Sequence, residues 1–201
     1  STLYDLMSDE KYRNCLDHIV KQISSLDITI SAAKASLMYK YCKPTIGLTH
    51  NNNHNHNESD SSTVTSNNSN IPSYVKGFNV RHPIIERIND ELEYIPNDVD
   101  LSPDNVAGIL LYGCNMCGKS SYMKSIGLNI IMAQAGMYVA AEEFDYYPYD
   151  FIFTRISGND NIFKNQSSFA VEMHELRNIL KRTNHRSLIL GDELCRGTES
   201  I

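Results

Sequence analysis

The chain has 201 residues, of which 41% are hydrophobic and 21% charged, and its formal net charge is -6 at pH 7. This length suits one complete domain with part of a second one, and the hydrophobic share is enough for a buried core. The negative charge excludes a generally cationic surface, so this chain alone is a poor candidate for strong nonspecific DNA binding, although local cationic patches stay open as an alternative. The sequence predicts no membrane segment, because it has no apolar run long enough to cross a bilayer.

The chain begins with a helical pattern and continues into a polar stretch. Between residues 3 and 41, apolar residues recur every three or four positions, which predicts one long amphipathic helix or two shorter ones. Lys43-Pro44 ends this pattern. Residues 49–70 are almost all Asn, His, Ser, Thr and Asp, a composition that buries too little apolar area to order itself, so we predict a disordered insertion.

A strand and a tyrosine precede the most informative part of the chain. Residues 74–80 alternate weakly and predict a strand, followed by a turn at Pro83 and a short helical piece. Tyr94 stands about twenty positions before a glycine-containing loop, at a distance where it could stack on a nucleotide base. The pattern alone favours a partly buried core tyrosine. Residues 101–105 predict a turn.

Residues 109–121 read Ile-Leu-Leu-Tyr-Gly-Cys-Asn-Met-Cys-Gly-Lys-Ser-Ser and fit the pattern G-x-x-x-x-G-K-[ST]. We predict a short buried strand over 109–112, a turn over 113–118 and a helix from Lys119. Glycines allow several backbone N–H groups to point at one phosphate, and Lys119 adds a full positive charge. The hydroxyl of Ser120 would hold Mg²⁺. The alternative is an ordinary glycine turn between a strand and a helix.

The five cysteines are odd in number, and Cys114 and Cys117 lie inside this loop. This predicts reduced thiols and an intracellular, reducing compartment. Cys114-x-x-Cys117 also has the spacing of a redox pair. We favour small residues lining a tight turn, because a disulfide there would distort the loop.

Downstream of the loop, helices and strands alternate. The pattern predicts a helix over 122–135 that Gly136 stops, strands at 137–139 and 151–153, and a polar loop over 157–168. Ser167 and Ser168 stand just before a predicted helix. They could cap that helix, or they could contact a phosphate. Residues 187–191 form an apolar strand that ends at Asp192 and Glu193. Paired acids there suit Mg²⁺ and an attacking water, although they also occur as helix caps.

Several motifs together resemble the ATPase region of the MutS family of DNA mismatch-repair proteins. The family reads close to T-G-P-N-M-G-G-K-S-T at the loop, where residues 112–121 read Tyr-Gly-Cys-Asn-Met-Cys-Gly-Lys-Ser-Ser. Further matches follow in order: Arg-His-Pro at 81–83, Asn97, Phe-Thr-Arg-Ile at 153–156, Asn-Asp at 159–160, Ser-Ser-Phe-Ala-Val-Glu-Met at 167–173 and Asp-Glu-Leu-Cys-Arg-Gly-Thr at 192–198. The similarity runs from about residue 23 to the last residue, interrupted by the insertion.

This resemblance implies an α/β fold with a P-loop ABC-type ATPase domain, preceded by helices of the core and lever region. The implied domains are a helical core and lever segment at 1–48, the disordered insertion at 49–71 and the ATPase domain at 72–201, truncated at its carboxyl end. ATP and Mg²⁺ are the implied cofactors. The implied partners are a second MutS-like subunit, which completes two shared active sites, and mismatched duplex DNA, bound mainly by regions outside this chain.

The resemblance also assigns roles to residues. Glu193 would be the general base, Lys119 would contact phosphates, and Ser167 would reach across the dimer interface toward the γ-phosphate of the other subunit. Ser120 and Asp192 would hold magnesium, and Tyr94 aligns with an aromatic residue that stacks on adenine. The implied nucleotide-binding residues are Gly113, Cys114, Asn115, Met116, Cys117, Gly118, Lys119, Ser120, Ser121 and Tyr94.

The implied function is ATP hydrolysis coupled to clamp movement on mismatched DNA. The alternative is a nucleotide-gated dimerisation module that acts on recombination intermediates or other DNA. The chain departs from the family where Cys114 and Cys117 replace a proline and a glycine, and where Gly191 replaces a larger apolar residue. The side chain of Cys117 is expected to affect the dynamics of the loop or its affinity for nucleotide.

Overall fold

The computed structural model describes residues 10–47, 71–88, 94–156 and 168–194, and the chain divides into two compact units, Ser1–Tyr41 and Cys42–Ile201. The insertion predicted at 49–70 lies outside the described residues. Among the helices of the described residues, none has the length and apolar character needed to cross a bilayer.

The first unit contains one long helix, α1, which spans Glu10–Tyr39. The predicted helix is therefore confirmed over 30 residues. The residue after the helix, Lys40, has a positive φ of 52°, and the Tyr41 N–H donates to the carbonyl oxygen of Ser36 at 3.0 Å. Such a left-handed residue followed by a backward hydrogen bond is a common way for a helix to end.

The second unit is a mixed α/β structure. In chain order its elements are β1 (Thr45–Ile46), β2 (Tyr74–Val80), α2 (Ile85–Ile88), β3 (Asn97–Leu101), α3 (Lys119–Gln134), β4 (Glu143–Tyr147), β5 (Phe151–Arg155), α4 (Ser168–Arg182) and β6 (Ser187–Gly191). One sheet has the order β1-β4-β2-β3, in which β2 is antiparallel to both β3 and β4. The other sheet pairs β5 and β6 in parallel, with Phe151 opposite Ser187 and Arg155 opposite Gly191.

The core of this unit forms where α3 contacts β2 and β6. On β4, the buried Phe144 and Tyr146 alternate with more accessible residues, as expected for a strand with one covered face. The buried apolar residues are Val75, Val80, Val99, Met123, Ile126, Ile130, Ala133, Val139, Ala141, Phe144, Tyr146, Tyr149, Leu188 and Leu190. This core fixes the helix that begins at the glycine-containing loop.

Two of the predicted strands are wrong. Residues 109–112 form no strand, and Leu110 and Tyr112 are 89% and 91% exposed. The apolar run is present, but a strand also needs a neighbouring backbone, and none of the described strands pairs with it. Residues 137–139 contribute only an isolated bridge between Val139 and Cys42, while the strand of this region, β4, lies later in the chain.

Candidate functional site

The glycine-containing loop turns sharply before α3. Gly113, Met116 and Gly118 all have positive φ values, of 154°, 65° and 90°. The last of these is the residue before the helix, and its carbonyl oxygen accepts a hydrogen bond from the Tyr122 N–H at 2.8 Å. A residue with a Cβ atom is strained at such angles, so the two glycines allow the chain to enter the helix in this direction.

The side chain of Lys119 folds back across this loop. Its Nζ donates to the carbonyl oxygens of Gly113 and Cys114 at 2.9 and 2.6 Å, and lies 3.8 Å from Sγ of Cys117. The ammonium group is therefore held inside the loop, at the amino end of α3, where the helix dipole also favours an anion. Positive charge is concentrated at this point, as the sequence predicts for a phosphate site.

A cavity of about 680 Å³ opens beside the loop, within the usual size range of small-molecule sites. Tyr94 lies on its wall together with Lys119, although the two residues are far apart in sequence. The residues that line the cavity are Ile85, Tyr94, Ile95, Asn97, Asp98, Ile109, Leu111, Met116, Cys117, Gly118, Lys119, Ser121 and Tyr122. The lining thus combines aromatic and aliphatic side chains with residues of the cationic loop.

Tyr94 is half-buried at this wall. Burial raises the pKa of its phenol, a hydrogen bond with Ser125 acts in the opposite direction, and the carboxylate of Glu86 raises the pKa further. The phenol therefore stays neutral near pH 7, and an uncharged aromatic residue lines the cavity. An aromatic residue there suits a planar heteroaromatic base.

Buried hydrogen bonds fix the position of α3. The side chain of Asn129 donates to the carbonyl oxygens of Arg81 and Ser125 and accepts from the Ala140 N–H. Nearer the loop, the hydroxyl of Tyr122 donates to the carbonyl oxygen of Asp98 at 2.8 Å. These bonds connect the helix to β3 and to the segments after β2 and α3, so the loop rests on a rigid support.

The acidic pair lies at the carboxyl end of β6. Asp192 is half-buried and its backbone N–H donates to the carbonyl oxygen of Arg155 at 2.8 Å, while Glu193 is exposed with a positive φ of 49°. The strand packs on α3, since a Cβ atom added to Gly127 would lie 2.5 Å from Cδ1 of Leu190. Neither acid lines the cavity that contains Lys119.

Mg²⁺ prefers oxygen donors. Helix α3 carries one in the Ser120 hydroxyl, and the end of β6 carries another in the Asp192 carboxylate. Their chemistry fits the ion. Within the described residues, however, no cluster of three or more His, Cys, Asp or Glu side chains could hold a metal ion. This is compatible with magnesium that is held by one carboxylate, water and the phosphates of a nucleotide.

The structure thus brings together only part of the predicted site. Tyr94, Met116, Cys117, Gly118, Lys119 and Ser121 line the cavity, whereas Gly113, Cys114, Asn115, Ser120, Asp192 and Glu193 do not. Ser167 and the Gly-Thr pair at 197–198 lie outside the described residues.

Asp98 and Tyr122 also line this cavity, and neither was predicted from the sequence to belong to the site. A signal existed for both. Tyr122 follows Lys119 by three positions, which places the two on the same side of a helix. Asp98 lies close to Tyr94 in sequence, on strand β3, which begins just after this tyrosine.

Comparisons with known proteins add an independent result. Residues 109–201 match the family model described as MutS domain V. The chain is 39% identical to a protein of Acanthamoeba polyphaga mimivirus named as a mutS homolog, over 94% of this chain and 18% of that protein. It is 36% identical to a mitochondrial DNA mismatch repair protein mutS homolog of Sarcophyton glaucum, over 90% of this chain and 16% of the relative. It is 37% identical to the DNA mismatch repair protein MutS of Petrotoga mobilis, over 95% of this chain and 20% of that protein. The chain therefore spans about a fifth or less of the length of these relatives.

Proposed function

The chain belongs to the MutS family, and from this premise we propose that its second unit binds ATP at the cavity beside Lys119. The backbone N–H groups of residues 113–121 and the Lys119 ammonium hold the phosphates. Tyr94 stacks on adenine in the same cavity. In this proposal residues 72–201 form an ATPase domain of the P-loop ABC type.

The observation that carries the proposal is the shared cavity of Tyr94 and Lys119. A nucleotide has an aromatic base at one end and anionic phosphates at the other, separated by a sugar. A site for it therefore needs an aromatic surface and a cationic, N–H-rich surface on one continuous wall. The apolar side chains of Ile95, Ile109 and Leu111 line the same cavity and exclude water from the base.

Hydrolysis is the second part of the proposal. Glu193 acts as the general base that orients and deprotonates the attacking water, and Lys119 stabilises the charge that develops on the phosphates. When bound, Mg²⁺ neutralises phosphate charge, and Ser120 and Asp192 are the residues that would hold it. Ser167 acts on the nucleotide of a second subunit, so that full turnover requires a dimer.

For the whole protein we propose a role in DNA mismatch repair, in which ATP turnover moves a clamp on mismatched DNA. The support is the family membership and the relatives, which are named as mismatch repair proteins. Residues 1–48 then belong to the core and lever region, and residues 49–71 form an insertion in it. DNA contacts lie mainly outside this chain, in agreement with its net charge of -6.

Two measurements test the proposal. The first is equilibrium binding of a fluorescent ATP analogue to the wild type, to Lys119→Ala and to Lys124→Ala. Lys124 is a matched control because it lies in the same helix but does not line the cavity. Lys119→Ala should weaken binding by about 5- to 30-fold, whereas Lys124→Ala should leave it unchanged. Equal effects of the two variants would contradict the assigned site.

The second measurement is single-turnover ATP hydrolysis by Glu193→Gln, with Glu142→Gln as an exposed control. Glu193→Gln should bind ATP and lose at least about 100-fold in the rate of hydrolysis, as expected for the loss of a general base. If both variants hydrolyse ATP like the wild type, Glu193 is not the base. Binding without any hydrolysis in the wild-type dimer would favour the alternative of a nucleotide-gated dimerisation module.

A further inference from the structure

Two thiols flank the tip of the loop beside the cavity. Cys114 and Cys117 are both free and exposed. Between them, Asn115 and Met116 form a tight turn, in which Met116 has a positive φ of 65°. The two cysteines thus occupy the first and last positions of a four-residue turn.

This placement puts the cysteines within reach of each other. The first and last Cα atoms of a tight turn lie within about 7 Å of each other. A disulfide accepts Cα separations of roughly 4.4–6.8 Å, so Cys114 and Cys117 can be bridged by a local adjustment of the turn. The intervening residues Asn115 and Met116 do not oppose such an adjustment, because both are exposed and neither belongs to the buried core.

The same two cysteines are in contact with the loop lysine. Lys119 Nζ donates to the carbonyl oxygen of Cys114 at 2.6 Å and lies 3.8 Å from Sγ of Cys117. Sγ of Cys117 also lies 3.3 Å from the position that a Cβ atom on Gly113 would take. The Cys117 sulfur therefore lies close to both Gly113 and the Lys119 ammonium group, at an exposed position of the loop where a small disulfide can reach it.

We propose that Cys114 and Cys117 form a reversible dithiol switch on the nucleotide loop, oxidised by thiol–disulfide exchange with a low-molecular-weight disulfide such as oxidised glutathione. The Cys117 thiolate attacks one sulfur of that disulfide, and one thiol leaves. Cys114 then loses its proton and attacks the Cys117 sulfur, and the second thiol leaves. Two protein thiols are oxidised to one disulfide, and one small disulfide is reduced to two thiols.

Closing this disulfide changes the site for phosphate. It draws the Cys117 sulfur away from its position beside Gly113, and it changes the backbone of residues 114–117, whose N–H groups the proposed site uses to hold phosphate. A disulfide between these cysteines distorts the loop, and this distortion lowers the affinity of the oxidised loop for nucleotide. This part of the inference rests on the proposed ATP site, whereas formation of the disulfide does not.

The test incubates the wild-type chain in glutathione buffers that range from fully reduced to fully oxidised. Mass spectrometry of the peptide that contains the loop then reports an internal disulfide as a loss of two hydrogens. Binding of a fluorescent ATP analogue is measured on the same samples, before and after treatment with dithiothreitol. Oxidation should weaken binding by at least about tenfold, as expected for the loss of one charge-assisted hydrogen bond to phosphate, and the reductant should restore it.

Variants separate the dithiol from other thiols. For Cys114→Ser and for Cys117→Ser, the same two measurements are made in oxidised and in reduced buffer. Neither variant should form the reversible internal disulfide. Cys15→Ser, which removes an exposed cysteine of α1, should respond to oxidation like the wild type.

Three outcomes are informative. An internal disulfide with reversible loss of binding supports the switch. Absence of the internal disulfide in the oxidised buffer, or an oxidised loop that binds nucleotide as tightly as the reduced one, overturns it. If the reduced chain binds no nucleotide but the disulfide forms, the proposed ATP site fails and the dithiol chemistry remains.

Discussion

Asn129 provides the sharpest test of how α3 is held. Its side chain is fully buried, and its Nδ2 donates to the carbonyl oxygens of Arg81 and Ser125 at 3.0 and 2.8 Å. Its Oδ1 accepts from the N–H of Ala140, which is also fully buried, at 2.7 Å. Asn129→Ala removes all three bonds and leaves the Ala140 N–H without this acceptor, away from water.

The expected cost follows from these contacts. An unsatisfied buried N–H group costs about 1–3 kcal/mol, and the space left by the amide adds roughly 1 kcal/mol. The free energy of unfolding should therefore fall by about 3 kcal/mol. For a unit of this size, that corresponds to a fall of roughly 6–12 °C in Tm.

The assay is urea unfolding of the wild type, Asn129→Ala and Asn178→Ala. The chain has no tryptophan, so unfolding is followed by tyrosine fluorescence. Asn178 is a matched control because it is exposed on α4, and its amide lies 3.1 Å from Nδ1 of His174, which is exposed as well. Its substitution should cost less than about 0.5 kcal/mol. If Asn129→Ala costs no more than this control, the three bonds do not hold the helix in place.

Three further predictions concern the cavity and its support. Tyr94→Ala should weaken ATP binding by about 5- to 150-fold through the loss of base stacking, and should leave binding of inorganic tripolyphosphate unchanged in the same titration. Burial lowers the pKa of His82 in the folded chain below the ordinary value of 6.5. As the pH falls, His82 is therefore protonated in the unfolded state before it is protonated in the folded state. The free energy of unfolding should fall as the pH drops below 6.5. In urea unfolding at several pH values, His82→Asn should remove this dependence and the exposed His174→Asn should not. Tyr122→Phe deletes the bond to the Asp98 carbonyl and should cost about 1 kcal/mol in the same assay.

The sequence predicts elements well where one strong local pattern is sufficient. Apolar residues at helical spacing and Gly136 predicted the body of α3 over 122–135, and the loop motif predicted its start at Lys119, in agreement with the observed Lys119–Gln134. The apolar run before Asp192 predicted β6 in the same way. Strand β4 was missed because its buried residues, Phe144 and Tyr146, stand among acidic and tyrosine residues that resemble a polar loop.

The site was less accessible to sequence reasoning, since its parts meet only through tertiary contacts. The loop was recognised from its glycines and Lys119, because their backbone requirements are local. Nothing local predicts that residues 109–112 would lie open along a cavity instead of pairing in a sheet. The pattern alone even favoured a core position for Tyr94, and only the shared cavity with Lys119 supports its proposed role beyond the family resemblance.

The contacts of Lys119 limit how much it can add to nucleotide affinity. Its ammonium already donates to two loop carbonyls, from Gly113 and Cys114, so a phosphate must replace bonds that exist. Charge-assisted bonds to an anion contribute about 1.5–3 kcal/mol and bonds to neutral groups about 0.5–1.5 kcal/mol, which leaves a net gain of roughly 1–2 kcal/mol. Lys119→Ala should therefore weaken ATP binding only 5- to 30-fold, by about the amount of this net gain. The rate of hydrolysis should fall further, because the transition state depends on positive charge at the phosphates. A loss of binding near 1,000-fold, by about 4 kcal/mol, would show that the loop carbonyls do not hold Lys119 before the nucleotide arrives.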